Sequence, residues 1–272
     1  MPHSEHSDSE SSDTPMDAIL PTTSETIYFV TGANRGLGLG FSRVLLSRPN
    51  TCLIAAVRDP SKAYDLWNLP KAENSRLIIV KIDGNIDSDP QTAVDTLRQS
   101  YDINHLDVVI ANAGIEQWFG PTTNIPLSEL RTHFEVNALS PLALFQATYH
   151  LLFASPTKSP KFVPISSRLG SMTELAKVQN PAAAYGASKA MLHYLTCRMH
   201  YENEASGLVA FPMSPGFVQT DLGNAGARKA GMKKAVFTVE QSVEGMMKTI
   251  DNATREKHGG TFQSWDGTTF EW

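Results

Sequence analysis

Tyr185 and Lys189 stand four residues apart in the segment Tyr185-Gly186-Ala187-Ser188-Lys189. On a helix, residues i and i+4 share a face, so the phenol and the ammonium would lie side by side. A cation there favours the phenolate and draws the tyrosine pKa down from its unperturbed ~10, which makes Tyr185 a candidate general acid/base. A lone Y-x-x-x-K also arises on ordinary helix surfaces, and its companions give it weight. Ser166 and Ser167 stand at the C-terminal end of the apolar run Lys161–Ser166, where ligands collect in open α/β sheets. Asn137 lies in the helical segment Leu127–Ser155, four residues before Pro141. Proline lacks an N–H and clashes with the carbonyl four residues back, so the Asn137 carbonyl should be freed and the helix kinked. A freed carbonyl can hold a water; a kink that serves packing alone fits the pattern equally well.

A second constellation opens the chain. The run Ile27–Thr31 leads directly into Thr31-Gly32-Ala33-Asn34-Arg35-Gly36-Leu37-Gly38. Glycines in a strand-to-helix turn let backbone approach a pyrophosphate, and the helix that follows offers N–H donors and a positive dipole end. The spacing is G-x-x-x-G-x-G rather than G-x-G-x-x-G. At the end of the second run, where an acidic residue commonly marks a cofactor without a 2′-phosphate, stand Val57 and Arg58. Arg35 and Arg58 could clamp a phosphate from two turns. Asp59 could instead pair with Arg58. The balance favours NADP over NAD.

These groups need a frame that brings strand ends together. Short β-branched runs recur at Ile27–Thr31, Thr51–Val57, Arg76–Ile82, Leu106–Ala111, Lys161–Ser166, Leu208–Ser214 and Thr261–Ser264, with longer amphipathic segments between them. Near-continuous apolar runs joined by helices mark a parallel sheet buried on both faces. The expected fold class is therefore α/β: one Rossmann-type, doubly wound domain with about seven strands. Pro164 falls inside a central run and predicts a bulge or a shortened strand. Ser88-Asp89-Pro90-Gln91 and Thr238-Val239-Glu240-Gln241 both fit capping boxes. Residues 1–24, rich in Ser, His, Asp and Glu over their first half, are expected to form a disordered tail that precedes a single catalytic domain at 25–272.

Composition closes off other classes. The 272 residues carry 23 Lys+Arg against 28 Asp+Glu, a net charge of −5. That acidic balance argues against nucleic acid, and no stretch approaches the ~20 apolar residues of a membrane span. Cys52 and Cys197 are too few for a disulfide framework and suit a reducing, cytoplasmic setting. The eight histidines show no metal-ligand spacing, so no metal site is expected, and His193 and His200 read as packed or solvated groups. Arg228, Lys229, Lys233 and Lys234 form a basic run that is either a solvated face or a ring for an acidic substrate. Trp118 and Phe119 could stack on an aromatic substrate or simply pack a loop.

Taken together, these residues resemble the short-chain dehydrogenase/reductase family from Ile27 to about Trp272. In that resemblance Thr31–Gly38 is the cofactor turn, Asp83 the adenine contact, and Asn112-Ala113-Gly114 the motif after the fourth strand. Asn137, Ser167, Tyr185 and Lys189 match the catalytic tetrad. Pro215-Gly216 with Val218 and Thr220 matches the turn beside the nicotinamide, and residues 221–236 match the substrate lid. Leu144–Thr148, Ala184–Lys189, Pro215–Leu222 and Gly226-Ala227-Arg228 are similar to fungal polyketide ketoreductases.

The resemblance implies reduction of a ketone of a bulky, aromatic secondary metabolite with NADPH. Tyr185 would give a proton, Ser167 would polarise the oxygen, Lys189 would grip the nicotinamide ribose, and Asn137 would hold a water. The implied cofactor set is Gly32, Asn34, Arg35, Gly36, Leu37, Gly38, Arg58, Asp83, Asn112, Gly114, Tyr185, Lys189, Pro215, Gly216, Val218 and Thr220. A homodimer or homotetramer is also implied. Eighteen positions separate Ser167 from Tyr185, more than is usual in the family, which predicts a longer loop around Glu174–Pro181 and leaves Ser166 and Ser171 as alternative serines. Alcohol oxidation, imine reduction and a non-catalytic NADP-binding scaffold are the rival readings, the last disfavoured by the complete tetrad.

Overall fold

A computed structural model describes residues 25–177 and 180–272; the N-terminal segment 1–24 lies outside them. The chain begins with β1 (Thr26–Thr31), α1 (Gly36–Leu46), β2 (Thr51–Val57), the single turn α2 (Tyr64–Trp67), β3 (Arg76–Lys81), α3 (Asp89–Tyr101) and β4 (Val108–Ala111). It continues through α4 (Leu127–Phe134), a π-helical turn (Glu135–Leu139), α5 (Ser140–Phe153), β5 (Lys161–Pro164) and the long α6 (Ala183–Glu202). Then come β6 (Val209–Ala210), β7 (Met213–Ser214), α7 (Asp221–Lys229), α8 (Val239–Asp251), the short α9 (Arg255–His258), β8 (Phe262–Ser264) and β9 (Thr269–Phe270).

Six parallel strands lie in the order β3-β2-β1-β4-β5-β6. The order reverses between β1 and β4, which opens a crevice beyond their C-terminal ends. Alternation along each strand divides the apolar residues between two cores. Tyr28, Val30, Leu53, Ala55 and Val57 pack toward α1 and α8. Ile27, Phe29, Cys52, Ile54 and Ala56 pack toward α3, α5 and α6. Burial pushes the Cys52 thiol up to about 12, so it acts as a small apolar side chain.

The sheet departs from one seven-stranded unit. The run Leu208–Ser214 divides at Pro212: Val209–Ala210 pairs with β5, while Met213–Ser214 pairs with β8 in a three-stranded sheet, β7-β8-β9. Pro164 contributes to this break. On the β4 side Lys161 and Ile165 donate to Asp107 and Ala111, so by alternation the donor that proline lacks falls on the β6 side. Pairing resumes where Ser166 N–H donates to Met213 O, 2.7 Å away. The strand is thus shortened at Pro164, as its sequence predicts.

The two capping boxes differ. Thr238 and Gln241 form a reciprocal box, whereas Ser88 makes no side-chain cap and has helical backbone angles. Gln91, the residue that would complete the box, instead donates its Nε2 to Asp95 Oδ1 at 2.9 Å, while the Asp89 carboxylate accepts from Asp83 N–H and the Lys81 ammonium.

Candidate active site

The turn after β1 is built around positions that only glycine fills. Gly32 (φ +63) and Gly36 (φ +51) take left-handed backbone, and a Cβ at Gly38 would overlap the Gly32 carbonyl oxygen. Asn112 fixes this turn from the neighbouring strand. Its Nδ2 donates to Thr31 O at 2.9 Å, and Ala113 N–H donates to Thr31 Oγ1 at 3.0 Å.

From this turn a cavity of about 690 Å³ runs to the ends of β4 and β5. Gly32, Arg35, Gly36, Leu37, Asn112, Gly114, Ser167, Tyr185, Lys189, Pro215, Gly216, Val218 and Thr220 line it. Asn34, Gly38, Arg58, Asp83 and Asn137 are not on that wall. Tyr185 is 8% exposed and Lys189 3%, with the ammonium 5.5 Å from the phenol ring centre. The tight packing of Gly186 under the Leu169 carbonyl seats this end of α6 against the turn Arg168–Gly170.

The electrostatics of the pair differ from the expectation of a lowered tyrosine pKa. Burial and the nearby Glu116 charge push the Tyr185 phenol up, and only the neighbouring Ser167 hydroxyl pulls it down. Desolvation lowers the Lys189 ammonium to about 8, with Glu116 opposing. Its Nζ donates to the Ile165 carbonyl at 2.8 Å. In this environment burial dominates, and Tyr185 is held as a neutral phenol.

The three serines are separated by their partners. Ser166 is paired with His193 Nε2 at 2.6 Å, and burial drives that imidazole down to about 3, a neutral packed group. Ser171 donates to Glu271 O and accepts from Glu174 N–H. Ser167 caps the Arg168–Gly170 turn and lies on the cavity wall beside Tyr185.

Asn137 is fully buried within the π-helical turn, where Ser140 N–H reaches back five residues to Glu135 O. The helix thus accommodates Pro141 with one wide turn. The Asn137 side chain is an internal clamp. Its Oδ1 accepts from Ile115 N–H (2.8 Å), and its Nδ2 donates to Ile115 O (2.9 Å) and Ser188 Oγ (3.0 Å). Ser188 in turn donates to Tyr185 O.

Sequence reasoning missed Glu116, which carries no motif beyond following Asn-Ala-Gly by two residues. It lines the cavity, and its Oε1 is buried without a hydrogen-bond partner. Burial raises its carboxyl from 4.5 to about 7, against the pull of Lys189. Because the folded value lies above the unfolded one, this group's contribution to stability is fully present below pH 4.5 and is lost as pH rises through about 7. Lys189 on α6 is the charged group it feels. Glu116→Gln is therefore expected to melt close to wild type at acid pH and above it at about pH 8. Equal shifts in thermal melts at both pH values would contradict this.

The remaining positions bear on a dinucleotide. Asp59 accepts from Ser61 N–H and Oγ and pairs with Lys62 at 3.1 Å, so it does not neutralise Arg58. Among the described residues Arg58 forms no ion pair and stays exposed, close enough to Asp83 to hold that carboxyl down, after the Asn85 backbone N–H. Arg35 meets Asp221 only at 3.8 Å across exposed surface, a weak link between turn and α7. Thr220 caps α7 by accepting from Gly223 N–H. A left-handed glycine turn, a buried lysine and the Arg35 guanidinium along one crevice, with exposed Arg58 just past the end of β2, fit a phosphorylated dinucleotide.

A family model described as short chain dehydrogenase matches residues 26–231. This chain belongs to the short-chain dehydrogenase family. It is 42% identical over 250 residues to norsolorinic acid ketoreductase of Dothistroma septosporum, covering 91% of this chain and 92% of that protein. It is 41% identical to the norsolorinic acid ketoreductase of Aspergillus parasiticus, covering 91% and 92%. NADPH-bound carbonyl reductase from chicken fatty liver superposes with a TM-score of 0.79 at 28% identity, covering 92% of this chain and all of that one.

In this short-chain dehydrogenase the aromatic wall comes from late in the chain. Phe217, Phe237, Trp265 and Phe270 line the cavity, whereas Trp118 folds over Gly120. The described residues between Ser167 and Tyr185 make several tethering contacts. Glu174 pairs with Arg168 and Lys177, and Arg168 lies over the Phe270 ring. Gly120 N–H donates to Pro181 O. Among the described residues no cluster of His, Cys, Asp and Glu could hold a metal ion, and no helix is long and apolar enough to cross a membrane.

Proposed function

We propose that this chain is an NADPH-dependent ketoreductase acting on a ketone of a bulky, aromatic, polyketide-type metabolite, with Tyr185 as proton donor. The observation that carries this reading is the buried Tyr185–Lys189 pair opening, beside Ser167, into the same aromatic-walled cavity as the glycine turn. Relatives named as norsolorinic acid ketoreductases and an NADPH-bound carbonyl reductase support it. The neutral Tyr185 phenol is the form that can give a proton to a carbonyl oxygen.

When bound, NADPH supplies the hydride. Gly32, Asn34, Gly36, Leu37 and Gly38 would cradle its pyrophosphate, and Arg35 and Arg58 would meet the 2′-phosphate. Asp83 would contact the adenine, with Asn112 and Gly114 beside the ribose. Pro215, Gly216, Val218 and Thr220 would border the nicotinamide. Ser167 Oγ hydrogen-bonds the substrate carbonyl oxygen and polarises it. Tyr185 Oη then gives its proton to that oxygen. Lys189, which donates to the Ile165 carbonyl, would hold the nicotinamide ribose, and the Asn137 carbonyl would hold a water that reprotonates the site. Residues 221–236, with α7, act as the lid. A homodimer or homotetramer through α5 and α6 accords with exposed Phe153, Tyr194 and Tyr201.

NADPH consumption with a panel of aryl ketones tests the reaction; binding of NADPH without turnover of any ketone would sink it. Arg58→Ala tests the cofactor. Loss of one charge-assisted contact should weaken NADPH binding about tenfold or more while leaving NADH binding near wild type. Equal losses for both cofactors would overturn the assignment of Arg58 to the 2′-phosphate.

A further inference from the structure

Glu116 occupies a position the fold holds with unusual care. Ile115, before it, has both backbone groups bonded to the Asn137 side chain at 2.8 and 2.9 Å. Gln117, after it, donates its N–H to His133 Nε2 at 3.2 Å, and His133 is fixed by Glu129 O at 2.7 Å. Two fully buried side chains therefore set the backbone on either side of one residue. That residue turns a carboxyl into the cavity with Oε1 buried and unpartnered. Its Oε2 faces α7 at Gly226, where a Cβ would stand 3.6 Å away. A buried carboxyl without a partner is costly unless a ligand completes it.

We propose that Glu116 is a specificity-determining residue whose carboxyl hydrogen-bonds a hydroxyl group on an aromatic ketone substrate. This rests on the ketoreductase reading above and adds the substrate's hydroxylation. Phe217, Phe237, Trp265 and Phe270 supply faces for the arene, and Glu116 supplies the polar contact that an all-apolar wall lacks. A carboxyl that burial brings to about 7 is available near neutrality as both donor and acceptor. That versatility suits a hydroxyl better than a fixed cation. The charge of Glu116 reaches both Tyr185 and Lys189, so the hydroxyl it selects lies near the reacting carbonyl.

The test compares benzophenone with its ortho-, meta- and para-hydroxy derivatives. Wild type should show a higher kcat/KM for at least one hydroxylated isomer than for benzophenone. Glu116→Ala should cut that preference about tenfold, the worth of one buried hydrogen bond, and Glu116→Gln should retain part of it. No preference in wild type, or an equal loss on all four ketones in Glu116→Ala, would overturn the proposal. Calorimetric binding of the same ketones to NADP-loaded Tyr185→Phe separates recognition from chemistry. A hydroxyl preference there that disappears on adding Glu116→Ala upholds Glu116 even if wild type turns over none of the ketones. That last result would count against the reductase reading alone.

Discussion

Tyr185→Phe is expected to lower turnover of any accepted ketone by about 10³-fold, within the range a positioned general acid contributes. NADPH affinity should stay close to wild type, because the ring and its packing on α6 are preserved. The phenol is 8% exposed and burial holds it in the protonated form, so the hydroxyl is a proton source with little competition from solvent. Ser167 stands beside it, whereas Ser166 is committed to His193 and Ser171 to Glu271. Steady-state kinetics with NADPH binding measured in parallel checks the claim. A loss of turnover that follows a loss of cofactor binding would assign Tyr185 to binding instead.

Asn137→Ala should be the most damaging of the substitutions considered for stability. It strands the Ile115 N–H and carbonyl and removes the donor to Ser188 Oγ, around a side chain that is itself fully buried. Unsatisfied buried groups cost about 1–3 kcal/mol each, so a loss of at least about 3 kcal/mol is expected, or about 10 °C in melting temperature for a chain of this size. Asn137→Asp keeps the shape and the acceptor for Ile115 N–H. It turns the amide donors into a second acceptor facing the Ile115 carbonyl, and Ser188 has already spent its proton on Tyr185 O. The Asp variant should therefore also be destabilised, and both should lose turnover because the Tyr185 turn is disturbed. Wild-type melting in either variant would refute the clamp.

Much of this was legible before any coordinates. The glycine spacing, the Tyr-Lys pair and the apolar runs are local signals, and each lies on the element it implies. What could not be read depends on distance or burial. Pro212 divides a strand whose sequence looks continuous, because the outcome turns on pairing with Pro164 and with β8 far along the chain. The Ser88 box is lost because Ser88 takes helical backbone angles and Gln91 turns to Asp95. A cation four residues away was expected to lower the Tyr185 pKa, yet desolvation, which no motif encodes, reverses the sign. The aromatic wall drew on Phe217, Phe237, Trp265 and Phe270, and nothing in their spacing links them to Asn112-Ala113-Gly114.

The double tether at Ile115 and Gln117 has a consequence for how such a cavity can diverge. Because the backbone at 116 is set by its two neighbours and not by its own side chain, residue identity there is uncoupled from loop conformation. A single codon can then exchange carboxyl for amide, hydroxyl or methyl with the main-chain path unchanged. Saturation of that one position should yield a library of folded proteins that differ in which ketone they prefer, and an ancestral chain could change its substrate by the same one-step route.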